Sequence, residues 1–521
     1  MATWYVRPDA SHGGSNNGTS FANAWQGWPT IVWSTAGIMP SDTLYVCGGF
    51  GSSSPLSLGW HGATSDANRV VIRGDYSNLP GSFTFTGTGY LNSTRIYTSF
   101  IALTIFGMEG FACILNAAAA GVIIDCCELI GGTDGVRLNS STVFTSSTVK
   151  NNVIHGQSAM GINHTVGTGS ITPGGVVISG NTIYGVALYA IQAAMNSSAW
   201  ITSRFANYRI TSNTIKDCPG CSIYIRSCHN DITVPSKIYS TDVEVAGNIV
   251  DRCGTAAGNG GKHGGITVLG CASPLIFNNI VRDTYVTGAG IQTAKNQTPL
   301  IFFNTVSGIR SGTPTSAFQN GFAIDGNGIF FDNLTTGGLA FGNRISDLIS
   351  TGNTNSGTGL SIWDSTGVQF IGNIVDNCYC GASYGRANER DNAINNNTFI
   401  NCDVGIDKVG VSALAGNTTV KNNLLVNCVI GFRGKVNPSI TADYNCVHGS
   451  KTAYSGIPPG GNDTSINPQL DSAYRPQNPR LKRAGIYLGG KDYNGKQFYN
   501  PPNIGAVDDM TSTPRYLLLP R

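Results

Sequence analysis

Apolar and polar positions nowhere hold a 3.6-residue period for more than about two turns, because Gly, Asn, Ser and Thr interrupt every few residues. Between the interruptions stand short β-branched runs, the length of brief strands. The runs recur in register. A tripeptide of Asn, any residue, then Ile, Val, Leu or Phe starts at Asn152, Asn181, Asn213, Asn248, Asn279, Asn304, Asn343, Asn373, Asn397 and Asn423. Successive copies lie 24 to 39 residues apart, with a nearly constant minimum and a variable excess. That is the pattern of a coil with fixed strands and turns that accept insertions.

The register extends beyond the Asn. Five residues later stand Cys218, Cys253, Cys378, Cys402 and Cys428, and the preceding column holds Asp217, Asp283, Asp347, Asn377, Asn401 and Asn427. Asp and Asn tolerate left-handed backbone, so this column predicts a corner. A glycine followed by an apolar residue then opens the next strand, as at Gly161-Ile162, Gly290-Ile291, Gly328-Ile329, Gly359-Leu360 and Gly405-Ile406. Short strands and tight corners at this period predict an all-β fold, a parallel β-helix whose coils stack about 4.8 Å apart. Identical positions form ladders: Asn amides satisfied along the stack, apolar side chains along the axis, and Cys as a small buried hydrophobe. The same register assigns Cys218-Pro219-Gly220-Cys221 to packing rather than to redox or zinc chemistry.

Five of the seven Trp residues fall in the first 60 positions, and Pro becomes frequent after Cys446. We therefore expect an N-terminal cap over residues 1–60, which covers strand edges that invite aggregation, a parallel β-helix over 61–446, and an irregular C-terminal segment over 447–521. Composition narrows the class. Charged residues are 12% of the 521 and hydrophobic ones 41%, with 68 Gly, so a disordered chain is excluded. Net charge is +3 without basic blocks, which argues against nucleic acid as a partner. No run of 18 apolar residues is present, so membrane insertion is not expected. The first residues carry neither a basic nor an apolar signal region, which leaves two expectations: a trimmed secreted enzyme, or a protein made in the cytoplasm and released as part of a virion.

The segments Trp4-Tyr5-Val6, Gly18-Thr19-Ser20-Phe21-Ala22-Asn23-Ala24-Trp25 and Asp42-Thr43-Leu44-Tyr45-Val46 resemble the opening of right-handed parallel β-helix proteins of the pectate-lyase-like superfamily. Asn467-Pro468, Asp492-Tyr493-Asn494-Gly495 and Asn503-Ile504-Gly505-Ala506-Val507-Asp508 are similar to their closing segment, with Asn503 and Asp508 where that family usually has Asp and Glu. The resemblance implies a right-handed helix and a fold that hosts lyases, hydrolases, epimerases and phage tail spikes, without choosing among them.

Cleaving a glycosidic bond needs a positioned acid and base. Glu is rare, so most candidates are Asp. Asp332 and Asp364 follow the strand openings of consecutive repeats and are expected on one face; with Glu389 they are the catalytic candidates. Asp325, Trp363, Tyr384 and Arg386 are the substrate-binding candidates: Trp363 to stack on a sugar ring, the others from the charge cluster Tyr384–Asp391 or beside the strand opening. The competing reading is that Asp ends strands and bonds its own turn, and that the cluster is a solvated turn. Lys262-His263-Gly264-Gly265 resembles a polygalacturonase motif only loosely and lacks its companion motifs. No run of ladder Asp suggests calcium, and neither a metal nor another cofactor is expected. The sequence thus points to a tail-spike-like protein that recognises or depolymerises a bacterial surface polysaccharide, as a homotrimer attached to other virion tail proteins. The alternatives are a secreted polysaccharide lyase or glycoside hydrolase, and a non-catalytic adhesive virion protein.

Overall fold

The computed structural model describes residues 1–8, 14–59, 61–77, 79–93, 95, 97–107, 113–117, 121–140, 146–166, 174–195, 206–227, 240–254, 265–286, 288–311, 326–348, 357–385, 389–409, 417–434 and 440–508. They fall in two compact units: Met1–Asn230 with Lys237–Ile249, and Asp231–Ser236 with Val250–Arg521. Each unit is a right-handed parallel β-helix whose coils contribute one short strand to each of three parallel sheets. In the first unit, for example, Gly174–Ser179, Thr182–Tyr184 and Tyr189–Met195 make one coil, paired in register with Ala206–Thr211, Thr214–Lys216 and Cys221–Arg226 of the next. In the second unit, Leu339–Phe341, Arg344–Leu348 and Thr358–Ile362 pair with Gln369–Ile371, Ile374–Cys378 and Cys380–Tyr384. Helical structure among the described residues is confined to three-residue 3₁₀ turns.

Two corners explain the sequence register. At the corner from first to second sheet, a residue in left-handed backbone precedes every ladder Asn: Ser212 (φ 57°) before Asn213, Phe303 (φ 55°) before Asn304, Gly372 (φ 67°) before Asn373. The Asn side chain then turns inward. Asn343 receives at Oδ1 the backbone N–H and the Nδ2 of Asn304 (both 3.0 Å), while its own N–H and Nδ2 donate to Asn373 Oδ1 (3.1 and 2.9 Å). The chain of amides runs Asn152, Asn181, Asn213, Asn248 in the first unit. In the second it runs from Asn279 to Asn445 and ends on the carboxylate of Asp463. Each link satisfies groups that would otherwise be stranded in an apolar interior, at about 1 kcal/mol per bond and more if a partner is removed.

At the corner from second to third sheet, Asp217, Asn377, Asn401 and Asn427 also take left-handed backbone (φ 51–54°). The next residue is the column Cys. Cys218, Cys253, Cys378, Cys402 and Cys428 are buried and outside any disulfide, as the register predicts. Cys218, Cys378 and Cys402 each direct Sγ at the carbonyl two residues back (3.3–3.4 Å). Thr284, in the same column, makes the same contact through a hydroxyl (2.8 Å).

In the first unit the strand Thr3–Arg7 pairs with Thr43–Val46, which pairs with Val70–Arg73, so the aromatic opening also contributes to the first sheet. Trp4 stacks on Trp25 (5.1 Å) and donates to Asp42 (3.0 Å), and Trp28 meets Phe83 edge-on (5.4 Å). Trp60 lies outside the described residues. In the second unit the closing residues lie on the outer face of the second sheet. Leu481 and Ile504 pack on Ile400, Leu424 and Cys446, and Ala506 and Val507 pack on Ile374. Asp508 accepts from Asn503 N–H (2.7 Å), and Asp492 from the N–H of Asn494 and Lys496 (3.0 and 2.9 Å). The sequence motif that resembles a family closing segment is thus a set of carboxylate-tied turns sealing one sheet.

Candidate functional site

In the second unit, alternation along the third sheet sends Ile291, Ile329, Leu360, Ala382 and Ile406 into the core and the residues after them outward. That row on the opposite side of the sheet reads Gln292, Phe330, Ser361, Ser383, Asp407, then Arg433, the first five of them buried. Ser361 and Ser383 are hydrogen-bonded at 3.1 Å, and Arg433 grips Asp407 with both Nε and Nη2 (3.1 and 2.6 Å). Two residues along the strand, Asp332 lies beside Ala294 of the preceding coil.

Asp332 is half-buried, and its carboxylate is held by amides: Gln292 Nε2 donates to Oδ2 (2.9 Å) and Asn333 Nδ2 to Oδ1 (2.7 Å). Burial pushes its acid up to about 7; the two amide bonds pull the other way and the neighbouring charge of Asp364 adds to the rise. A half-turn of the Gln292 amide offers an acceptor to the protonated acid in place of a donor to the carboxylate, so the same neighbour suits both states. Trp363 follows on the next coil, its N–H donating to Phe331 O (2.8 Å) and its ring 6.2 Å from that of Phe330. Asp364 is in left-handed backbone (φ 47°) at a corner completed by Ser365, the same construction as Asp217 with Cys218.

The structure therefore brings Asp332, Trp363 and Asp364 together on adjacent coils. Tyr384 and Glu389 are elsewhere. Tyr384 pairs with Lys408 in an inward column, and both side chains are fully buried. Burial, with Glu389 and Asp407 nearby, makes the Tyr384 hydroxyl harder to ionise. Glu389 is also enclosed and accepts from Gly385 N–H (2.5 Å), so neither it nor Tyr384 faces solvent. Asp325 and Arg386 lie outside the described residues, as do Lys262, His263 and Cys228. Sequence reasoning missed Gln292 and Asn333. The available signal was positional, since Gln292 follows Gly290-Ile291 at the same offset as Phe330 follows Gly328-Ile329.

A family model described as periplasmic copper-binding protein (NosD) matches residues 320–458, a minority of the chain and all of it in the second unit. No curated protein sequence matches. Among solved structures, the A-module of mannuronan C-5 epimerase AlgE6 from Azotobacter vinelandii is similar at 12% identity, over 83% of this chain and 100% of that one, with a TM-score of 0.45. A PL6 alginate lyase in complex with a trisaccharide is similar at 9% identity, over 84% and 85%, with a TM-score of 0.44. The pectate lyase Pel9A gives 12% identity over 98% and 96%, with a TM-score of 0.25. At such values these likenesses do not bear on what this chain acts on. Among the described residues no three His, Cys, Asp or Glu side chains converge as metal ligands, and the column Cys378 and Cys402 direct Sγ at carbonyls.

Proposed function

We propose that the chain binds and cleaves a polysaccharide on the outer face of the third sheet of its second unit. Asp332 is the general acid, Asp364 the base, and Trp363 the platform for a sugar ring. The observation that carries the reading is Asp332, a carboxyl held by two amides and raised to about 7, so that it carries a proton about half the time at neutral pH. Protonation by Asp332 frees the leaving glycosidic oxygen, while Asp364 takes a proton from the water whose oxygen bonds to the anomeric carbon. Reducing ends released from the host glycan measure this directly. Asp332→Asn is expected to lower their rate about 10²- to 10⁴-fold with the fold intact. Asp364→Asn, which keeps a residue tolerant of left-handed backbone, is expected to do the same. Full activity in Asp332→Asn defeats the assignment, and unsaturated uronate in place of plain reducing ends defeats hydrolysis.

Within this class we favour a spike on a phage tail, a homotrimer joined to other tail proteins and directed at a bacterial surface polysaccharide. Its support is that none of the thirteen described cysteines is joined in a disulfide and twelve of them are buried, as befits assembly in a reducing cytoplasm. A trimeric mass on a sizing column is expected. A monomer at micromolar concentration favours the secreted enzyme instead, and polymer binding without cleavage favours the adhesive reading.

A further inference from the structure

The second unit covers its outward apolar side chains on one sheet and leaves them half-exposed on another. On the second sheet, Ile374, Ile400 and Leu424 lie under the closing segment, packed by Val507, Ile504 and Leu481. The rungs ahead of that cover carry Thr305 and Arg344 instead. The first sheet departs from this rule. Leu275 and Phe277, Leu300 and Phe302, and Leu339 and Phe341 flank the buried Ile276, Ile301 and Ala340 on three successive strands. All six therefore point outward, and each is only half-buried. On the next strand Ile371 continues the column of phenylalanines, but there the closing segment arrives: a Cβ added to Gly490 would stand 3.1 Å from Ile371. Lys491 lies over the ring of Phe341 at 5.9 Å, at the edge of that cover. Six large apolar side chains in one outward block mark a surface that meets another.

We infer that this block is where copies of the chain meet. The rings of Phe277, Phe302 and Phe341 stack almost parallel, at 4.9 and 5.1 Å with 3° and 7° between their planes. The surface is thus a comb with the pitch of the coils, and a partner that fits it rung for rung needs the same pitch. A second copy, related by rotation about an axis along the stack, brings Phe302 to Phe302 and Leu300 to Leu300 at equal height. The block holds no charge. The edge by which its strands enter is polar, with Ser273 and Thr298 hydrogen-bonded at 2.6 Å and Gln297 exposed. A charge-depleted apolar centre beside a polar rim is the anatomy of a contact between copies. The first sheet of the first unit shows what an outward face left to solvent carries instead: Asp125 paired with Lys150 (3.2 Å), and Arg209 beside Glu244. Stable contacts bury about 800 Å² per copy, more than six half-buried side chains supply, so the block is the dry centre and the polar edge completes the contact. The inference rests on the trimer reading for the number of copies only.

The test is sedimentation of the full chain over a micromolar dilution series, with far-UV circular dichroism to confirm that each variant is folded. The wild type is expected to sediment as a trimer. Phe302→Lys, which brings like charges together at the centre of the contact, is expected to raise the dissociation concentration about 100-fold or more, and the milder Leu300→Ser about tenfold. Arg209→Ser, on the first sheet of the first unit, is expected to leave the mass unchanged. A trimer that persists undiminished in folded Phe302→Lys or, should that variant not fold, in Leu300→Ser overturns the face and leaves the trimer standing. A monomeric wild type overturns the inference, whatever other protein then covers the block, and leaves cleavage at Asp332 to be judged separately by its reducing ends.

Discussion

Asp134 in the first unit and Asp332 in the second each stand on the third sheet of their own unit, yet their surroundings differ in kind. Asp134 is tied to a guanidinium at 2.6 Å and an amide at 3.0 Å. Asp332 is tied to two amides, with a second carboxylate near enough to raise its acid further. Amides under burial leave the Asp332 carboxyl free to exchange a proton, where Asp134 is gripped by a guanidinium. A stack of near-identical coils therefore acquires different chemistry through which side chain occupies the adjacent rung.

The comparison is broken most directly by giving Asp332 what Asp134 has. Gln292→Arg places a guanidinium where the amide now donates, and a cation there lowers a carboxyl by about one to three pH units. Cleavage at pH 7 is then expected to fall roughly 5- to 500-fold and to recover as the assay is acidified. A pH–rate profile unchanged by the substitution shows that Asp332 is not the acid.

Next in size is the corner that both units share. Asn373→Ala removes the Oδ1 that receives two donors of Asn343 and the Nδ2 that donates to Asn397. A loss of about 2–4 kcal/mol of stability in chemical denaturation is expected, and Asn213→Ala in the first unit should match it. A much smaller loss in either unit shows that the ladder does not serve the two alike.

Asp332 also sets a pH dependence of stability. Its folded value near 7 lies above the unfolded value near 4, so the folded state binds the extra proton between these limits. The stabilising contribution is complete below about pH 4 and is lost as pH rises through about 7, with a slope up to about 1.4 kcal/mol per pH unit. Melting of wild type against Asp332→Asn from pH 4 to 8 should show the variant gaining on the wild type with rising pH. Parallel curves would place Asp332 among ordinary exposed carboxylates.

The smallest effect is expected at Asp217→Gly. Its left-handed corner suits glycine, so melting should move by no more than about 0.5 kcal/mol, while Asp217→Val should cost clearly more.

The fold could be read from the sequence because ladder positions repeat a chemical demand: a left-handed residue, then an amide that faces inward, or a small thiol that reaches its own strand. Asn373 and Cys378 announce themselves by spacing alone. The candidate site could not be read to the same depth. Nothing near Asp332 in sequence distinguishes it from other strand-ending Asp residues, since Gln292, which helps define its state, is contributed by the preceding coil. Tyr384 was misleading for a related reason. In sequence it opens the charged segment Tyr384–Asp391, but the strand Cys380–Tyr384 runs one residue further than that reading allows and its parity sends the ring inward.

The amide chain has a direction. Each Asn of the second-unit chain, from Asn279 to Asn445, passes its two donors forward to the oxygen of the next, so no link can close the chain by itself, and the final residue must take without giving. Asp463 is such a residue: one oxygen accepts both donors of Asn445, and the other accepts from Tyr454 Oη and Gly460 N–H (2.8 Å each). The carboxylate is punctuation. A solenoid written with asparagine can be lengthened by inserting coils ahead of that point, but a coil added after it would meet an acceptor with nothing to hand on, so the length of the stack is ended by chemistry.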